Sequence, residues 1–282
     1  MDELRLVYGS NMEMLYGDDL NFNGVLDGNE KSVAGAGQIN YGLLEYMTAW
    51  TREPNFFFYQ GMVSNKIYIN DLASYQSPTG QVYELLLAAS ISTSVIPTLT
   101  NGVPYTNLLA FAATCYSVMN SADFNKIYNY VSTYDTNTSY IYGRVNINTA
   151  SSDVLTALFE GLPQINGDEN TALSAAQTLV SYRKQNPSNI DTLMWVVDAL
   201  GTTSPIITAL EEGDLITTRS YQFTADIGAV GAFGRGYRRV KFVFDTTGGT
   251  PIIVYRQDLS SLGWALGDTA RQDLLANNKT PQ

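Results

Sequence analysis

The stretch "SYQFTADIGAVGAFGRGYRRVKFVFDTTGGTPIIVYRQDL", residues 220–259, indicates the fold class because its apolar residues recur at every second position. Two runs show this alternation: Tyr221, Phe223, Ala225 and Ile227 against Gln222, Thr224 and Asp226, and Val240, Phe242 and Phe244 against Arg239, Lys241 and Val243. A third run, "PIIVYRQDL", follows the turn "TTGGT". Glycine-rich turns between three such runs predict an antiparallel meander. Three strands alone are marginally stable, so we expect a helix to cover their apolar face.

Upstream of this stretch the apolar residues follow a helical period. The segments "QVYELLLAAS" and "NLLAFAATCYSVMNSADFNKIYNYV", and the earlier "YGLLEYMTAW", place apolar residues at i, i+3, i+4 and i+7. Helices first and strands last predict an α+β protein, in which a mainly helical domain accompanies an antiparallel sheet. The predicted parts are an N-terminal segment at 1–40, a helical domain at 41–212 with a tandem-helix unit at 144–200, strands at 213–267 and a C-terminal tail at 268–282.

Composition excludes several classes of function. The net charge of -11 disfavours binding to nucleic acid or to an anionic membrane through bulk electrostatics. The chain has no His, which excludes Ser-His-Asp and Cys-His catalysis, His-ligated zinc and a histidine pH switch. The single cysteine, Cys115, lies in an apolar helical run and is expected to be a buried thiol. No apolar stretch reaches the roughly 18 residues that a membrane helix needs.

The segment "DLNFNGVLDGNE", residues 19–30, has the spacing of an EF-hand calcium loop. Gly24 stands at the sixth position, where the loop turns sharply, and Leu26 at the apolar eighth position. The expected calcium ligands are Asp19, Asn21, Asn23, the Val25 carbonyl, Asp27 and Glu30. The alternative is a polar turn-rich loop that binds no metal.

The flanks of this loop favour a structural role for calcium. A calcium sensor needs a pair of helices whose angle opens on binding. Here Gly17 precedes the loop and the glycine-rich "VAGAGQ" follows it, so neither flank predicts a two-turn helix. The carboxylates of Asp19, Asp27 and Glu30 would repel one another without a cation. We therefore expect calcium to stabilise the local backbone.

The unit "RVNINTASSDVLTAL" with "LSAAQTLVSYR" resembles a helix-hairpin-helix, a motif that often binds DNA through backbone N–H groups. In this chain Glu160, Asp168 and Glu169 surround the predicted start of the second helix, where carboxylates suit the helix dipole but repel a phosphate. Only Arg183 and Lys184 follow nearby. The residues therefore favour a structural packing unit, with the first helix capped by Thr149 or a neighbouring residue.

Three segments in the same order resemble the minor pseudopilin K of bacterial type II secretion systems, also called general secretion pathway protein K. They are the acidic loop "YGDDLNFNGVLDGNE", the unit "VNINTASSDVLTAL…LVSYR" and the ending "TTRSYQFTADIGAVGAFGRGYRRVKFVFD…PIIVYRQDLSSLGWALG". The resemblance covers most of the chain, with little of it in residues 51–130. It implies a pilin-like sheet that carries a large inserted helical domain, and no catalytic activity.

The resemblance also implies partners, a metal and a location. Family members sit at the pseudopilus tip with the minor pseudopilins I and J, on the periplasmic side of the bacterial inner membrane, and they support export of folded proteins. Calcium sites are known in the family, and secreted proteins are further candidate partners. Family precursors begin with a leader and a long apolar helix that anchors in the inner membrane. Both are missing here, through truncation or through processing.

Two other classes of function remain open on the residues alone. An enzyme would need an acid–base pair, and the adjacent Glu211 and Glu212 are the most suggestive carboxylates. They lie at a predicted helix end, where charged residues usually mark a solvated face. The other alternative is a calcium-dependent extracellular binding module, which the loop and the aromatic content allow. The absence of regularly spaced strands through most of the chain disfavours a sandwich lectin.

Overall fold

The computed structural model describes residues 2–20, 26, 30, 32, 39–77, 79–231, 236–264, 272, 273 and 276. Its α-helices are α1 Met12–Tyr16, α2 Leu43–Tyr46, α3 Gln81–Ala88, α4 Ile96–Asn101, α5 Leu108–Tyr116, α6 Ser121–Tyr128, α7 Ser152–Glu160, α8 Glu169–Gln185, α9 Met194–Leu200 and α10 Pro205–Glu211. Its strands are β1 Arg52–Pro54, β2 Phe56–Tyr59, β3 Met62–Asn65, β4 Ile67–Tyr68, β5 Val131–Ser132, β6 Tyr140–Tyr142, β7 Val145–Asn146, β8 Ile216–Thr217, β9 Gln222–Val230, β10 Tyr237–Asp245 and β11 Ile252–Asp258. Among these described residues, no helix combines the length and apolarity needed to span a membrane.

The chain forms two compact units, one of which is discontinuous in sequence. Residues 1–51 and 221–282 make up the sheet unit, and residues 52–220 make up the helical unit between them. These limits differ from the predicted division at 40/41 and 212/213. Residues 41–51 group with the sheet unit because Tyr41 bridges Gly17 and because α2 packs beside α1. The predicted helix over "YGLLEYMTAW" is reduced to the four residues of α2.

The helical unit is built around one apolar core. Its buried members come from residues 69–216, and the largest fully buried side chains include Phe111, Phe124 and Phe159. Phe124 packs on Phe111 and Tyr128, with ring centroids 6.0 and 5.5 Å away. The helical periodicity of the sequence therefore predicts this part correctly, with α3, α5 and α6 in the expected segments.

Short strands at one side of the helical unit are joined by a buried ionic network. The Arg144 guanidinium donates to Glu53 Oε2 at 3.0 Å from Nη1 and to Asp214 Oδ2 at 2.9 Å from Nε. Glu53 also accepts from Thr217 Oγ1 at 2.8 Å and pairs with Lys66 at 3.6 Å. The network links β1, the β3–β4 connection and β8, so it fixes strands that have few hydrogen bonds of their own.

The two helices of the tandem-helix unit are α7 and α8, and a side chain caps the start of each. Ser151 caps α7 by accepting from the Val154 N–H, and Asp168 caps α8 by accepting from the Thr171 N–H. The cap of α7 is thus a neighbour of Thr149. Arg183 donates to the carbonyl oxygens of residues 147 and 150 at 2.8 and 2.6 Å. Its guanidinium therefore holds the "NINTA" turn, which leaves it poorly placed to bind a phosphate.

The three-stranded sheet has the predicted antiparallel order β9-β10-β11, with β10 in the centre. The pairs Val240↔Ile227, Phe242↔Ala225 and Phe244↔Phe223 place the apolar residues of β9 and β10 on one face. The burial is the reverse of what alternation suggests. The opposite face contains the buried side chains Arg239, Val243 and Asp245, whereas Phe223 and Ile227 on the apolar face are 51% and 49% exposed.

Ion pairing explains how the polar face is buried. The Arg239 guanidinium binds Asp226 through Nε, 3.0 Å from both carboxylate oxygens, and through Nη2, 2.6 Å from Oδ2. On the same face Trp50 packs against Tyr255, with ring centroids 5.8 Å apart. The ion pair with Asp226 offsets the cost of removing the Arg239 guanidinium from water.

Candidate functional site

The two ends of the predicted calcium loop lie together in the structure. Asp19, at the first loop position, and Glu30, at the twelfth, are both buried. Glu30 Oε1 accepts a hydrogen bond from the Leu20 N–H at 3.0 Å, which brings the twelfth position back to the beginning of the loop. A loop that supplies oxygen ligands from its first and last positions needs this closure.

A clasp between residues 17–18 and residues 40–42 holds the start of the loop. Asp18 donates its N–H to the Asn40 carbonyl at 2.9 Å, and its Oδ2 accepts from the Asn40 N–H at 2.9 Å. Gly17 adopts φ +67°, and a Cβ there would lie 2.0 Å from the Asn40 oxygen. Gly42 makes an equally close approach, since its Cβ would lie 2.3 Å from the Leu15 oxygen. Both positions therefore require glycine.

Asp18 is a residue that motif matching does not single out. It precedes the twelve-residue pattern, and its carboxylate binds a backbone amide 22 residues away. The signal in the sequence is the doublet "DD" at 18–19, in which one aspartate holds the clasp and the next opens the loop. Asp18, Asp19 and Glu30 are all buried.

The remaining predicted ligands, Asn21, Asn23, Val25 and Asp27, lie outside the described residues, as does Gly24. Within the part of the chain that the structure describes, no group of three or more acidic, His or Cys side chains is arranged around a single metal position. Asp19 and Glu30 fit the chemistry of calcium, because that ion prefers carboxylate oxygens and a bidentate Glu at the twelfth position. The complete ligand set stays a prediction.

The apolar face of the sheet is a second candidate functional surface. Besides Phe223 and Ile227, Ile253 of β11 is also exposed and lies opposite Phe244. At one end of this face Arg256 lies over the Phe242 ring, 6.0 Å from its centroid, and Arg238 pairs with Asp258 at 2.5 Å. Apolar surface with a charged margin is typical of a surface that another protein element covers.

Cys115 lies in a buried stretch of α5, and the adjacent Glu211 and Glu212 lie at the end of α10. Cys115 is fully buried in α5, and burial raises the pKa of its thiol, so the thiolate is disfavoured. Glu211 is the last residue of α10, and Glu212 caps the helix end, as the sequence predicts. Burial raises the pKa of Glu211, but adjacent residues at a helix end do not face a common reaction centre.

Comparisons of this chain with protein-family models, with curated proteins and with solved structures found no match.

Proposed function

We propose that this chain is the periplasmic part of a minor pseudopilin of the K type, a non-enzymatic component at the tip of a type II secretion pseudopilus. In that role it binds the minor pseudopilins I and J and supports export of folded proteins across the outer membrane. The full-length protein is held at the inner membrane by an apolar N-terminal helix. The alternative is a calcium-dependent extracellular binding module.

The observation that carries the proposal is the discontinuous sheet unit. Its antiparallel strands, residues 222–258, group with residues 1–51, and the helical unit of residues 52–220 is inserted between them. A pilin-like sheet with a large inserted helical domain has this organisation. The exposed apolar face of the sheet also supports the proposal, because a long apolar helix of a pilin-type subunit would cover such a face.

Calcium has a structural role in this proposal. Asp19, Asn21, Asn23, the Val25 carbonyl, Asp27 and Glu30 would hold the ion, which supplies positive charge among carboxylates that otherwise repel one another. Closure of the loop by the Leu20–Glu30 hydrogen bond, next to the Asp18–Asn40 clasp, supports a metal that stabilises the N-terminal part of the sheet unit.

Co-elution with the proposed partners tests the assembly role. The protein is mixed with the soluble domains of pseudopilins I and J from the same operon and separated by size-exclusion chromatography, in calcium and again in chelator. We expect one ternary peak in calcium. If the ternary peak is lost in chelator, calcium contributes either to the interface or to the folding of the protein that forms it.

Separate elution of the three proteins under both conditions would contradict the proposal and favour the binding-module alternative. A matched control keeps the result specific to the sheet. Phe223→Ser alters the exposed apolar face, whereas Leu173→Ser alters an exposed leucine on α8 of the helical unit. If the I–J complex uses the sheet unit, only the first substitution weakens the ternary peak.

A further inference from the structure

A short hairpin in the helical unit has an unusual surface. Among the strands that the structure describes, β2 and β3 pair only with each other, and the two residues between them, Gln60 and Gly61, have φ of 49° and 80°. Positive φ at both turn positions gives a tight two-residue turn whose twist matches that of the strands. No residue from 54 to 65 carries a formal charge, although the whole chain has a net charge of -11.

The tip of this hairpin exposes apolar side chains on both of its faces. Phe58 pairs with Val63, and these residues are 45% and 60% exposed. Tyr59 pairs with Met62 on the other face, and these are 56% and 65% exposed. Exposed apolar residues scattered singly are ordinary, but four together around one turn indicate an interaction surface.

The base of the hairpin packs against residues 130–140 of the helical unit, and these contacts fix the position of the tip. Phe57 packs edge-on against Tyr130 with ring centroids 5.0 Å apart, and Phe56 packs against Tyr140 at 5.7 Å. Asn55 donates from Nδ2 to the carbonyl oxygens of residues 135 and 138, both at 2.9 Å. A two-stranded hairpin is marginal alone, and these contacts supply the packing it needs.

Charge disfavours a membrane surface as the partner of the tip. Interfacial membrane elements place Lys or Arg beside their apolar residues to contact anionic headgroups. The nearest cations in the chain, Arg52 and Lys66, are already engaged. Arg52 lies over the Tyr140 ring, 4.7 Å from its centroid, and Lys66 pairs with Glu53 at 3.6 Å.

Shape and area disfavour a second copy of the chain. At roughly 200 Å² for a fully exposed large side chain, the four tip residues expose on the order of 450 Å², about half the area that each partner gives to a standard interface. Two convex tips in contact would bury only one face of each. A concave partner buries both faces and adds the surface around them.

We propose that the hairpin tip, Phe58, Tyr59, Met62 and Val63, inserts into an uncharged apolar cleft of a different folded protein. The inference is independent of the assembly role proposed above, because it depends only on the helical unit. Tip residues that are buried on both faces in such a cleft dominate the binding energy of the contact.

Site-specific photo-crosslinking in the cell that produces the protein tests the inference. p-Benzoylphenylalanine replaces Met62 in one full-length variant and Leu87, a 55% exposed residue of α3, in the control. We expect a discrete cross-linked protein only from position 62, and its loss when Val63→Asp is added. The cross-linked partner, identified by mass spectrometry and purified, should bind the Val63→Asp variant at least about 30-fold more weakly than the unaltered protein. It should bind a Leu87→Asp variant without change.

Four outcomes would overturn the inference: equal cross-linking at positions 62 and 87, cross-linking to lipid, cross-linking to a second copy of the chain, or equal affinity of the purified partner for Val63→Asp. Because Val63 is exposed, the Val63→Asp variant should keep the thermal melt of the unaltered protein, which separates lost binding from lost folding. These readouts do not depend on co-elution with pseudopilins I and J, so each proposal can fail without the other.

Discussion

The core of the helical unit and the central strand of the sheet unit differ in the side chains that they bury. In the helical unit the fully buried residues are mainly apolar, such as Phe124 and Leu179. In the sheet unit the central strand buries Arg239 and Asp245, while Phe223 on the apolar face is half exposed. The helical unit thus has an extended apolar core, with exposed apolar residues at its hairpin tip, whereas the three-stranded sheet leaves one apolar face exposed.

This difference indicates where each unit obtains its stability. Apolar burial is the main favourable contribution to folding, so the helical unit contains its own source of stability. In the described part of the sheet unit, the Arg239–Asp226 ion pair and the Asp18–Asn40 clasp join residues that are distant in sequence. In the assembly proposed above, a neighbouring element would cover the exposed apolar face of the sheet.

The largest expected loss of stability comes from truncating a core phenylalanine, and an exposed phenylalanine of the sheet serves as the comparison. Phe124→Ala removes a ring that is 0% exposed and leaves a cavity, which should lower the free energy of unfolding by about 3–5 kcal/mol. Phe223→Ala removes a ring that is 51% exposed and should cost no more than about 1 kcal/mol. Urea titration of both variants checks the contrast. Equal losses would mean that the apolar face of the sheet is buried in solution.

The three tryptophans allow each unit to be followed separately. Trp195 lies in α9 of the helical unit, whereas Trp50 and Trp264 lie in the sheet unit. A Trp50→Phe, Trp264→Phe background reports the helical unit, and Trp195→Phe reports the sheet unit. This matters because a chain of two units need not unfold in a single step.

The buried network of the helical unit should give a comparable loss when one partner is removed. Arg144→Ala leaves the buried Glu53 and the partly buried Asp214 without their main cation. We expect a loss of about 3–5 kcal/mol in the free energy of unfolding that Trp195 reports. Lys126→Ala removes the exposed pair with Asp123 and should change stability by less than about 1 kcal/mol. A small loss for Arg144→Ala would mean that water replaces the guanidinium.

Removal of calcium should lower the stability of the sheet unit and leave that of the helical unit unchanged. At free calcium about 100-fold above its dissociation constant, binding would stabilise the sheet unit by about 2.7 kcal/mol. Chelation should therefore lower the melting temperature seen by Trp50 and Trp264 and leave the Trp195 transition in place. Asp19→Asn or Glu30→Gln should abolish the sensitivity, whereas Asp153→Asn, an exposed acid on α7, should retain it. Identical melts of metal-stripped protein with and without calcium would refute a bound ion.

Acid should weaken the helical unit through Glu53. Burial alone raises the pKa of Glu53, but Lys66 and Arg144 outweigh burial, so its folded pKa lies below the ordinary value of 4.5. A lowered carboxylate pKa contributes stability that is complete above 4.5 and is lost as the pH falls through the folded pKa. The urea concentration at the unfolding midpoint, followed by Trp195 fluorescence, should decrease as the pH is lowered below 4.5. In Glu53→Gln this decrease should be smaller. If the midpoint of Glu53→Gln decreases with pH as steeply as that of the unaltered protein, other carboxylates cause the effect.

Local periodicity was a good guide to the type of each main element. The period of two predicts β9, β10 and β11, and the helical period predicts α3, α5, α6, α7 and α8. It was a poor guide to short elements, since α2 has only four residues and the strands from β1 to β8 have at most four. Such strands depend on side-chain contacts such as Arg144–Glu53, which join residues 91 positions apart and leave no local pattern.

The candidate loop was predictable only in part. Spacing alone identifies Asp19 and Glu30 as the two ends, and the structure brings those ends together. The clasp residue Asp18 was missed because its partner, Asn40, is distant in sequence. The exposed hairpin tip was also missed, because a run of aromatic residues usually predicts a core position.

Local sequence patterns were enough to predict the α+β class, the antiparallel order of the final strands and the spacing of the calcium-type loop, because all three depend on residues that are neighbours along the chain. The tertiary structure decided which face of the sheet is buried and which residues close the loop. It also decided which aromatic side chains stay in water. Those outcomes depend on distant partners: Arg239 can be buried because Asp226 lies across the strand pair, while alternation along the strand says only that two faces exist.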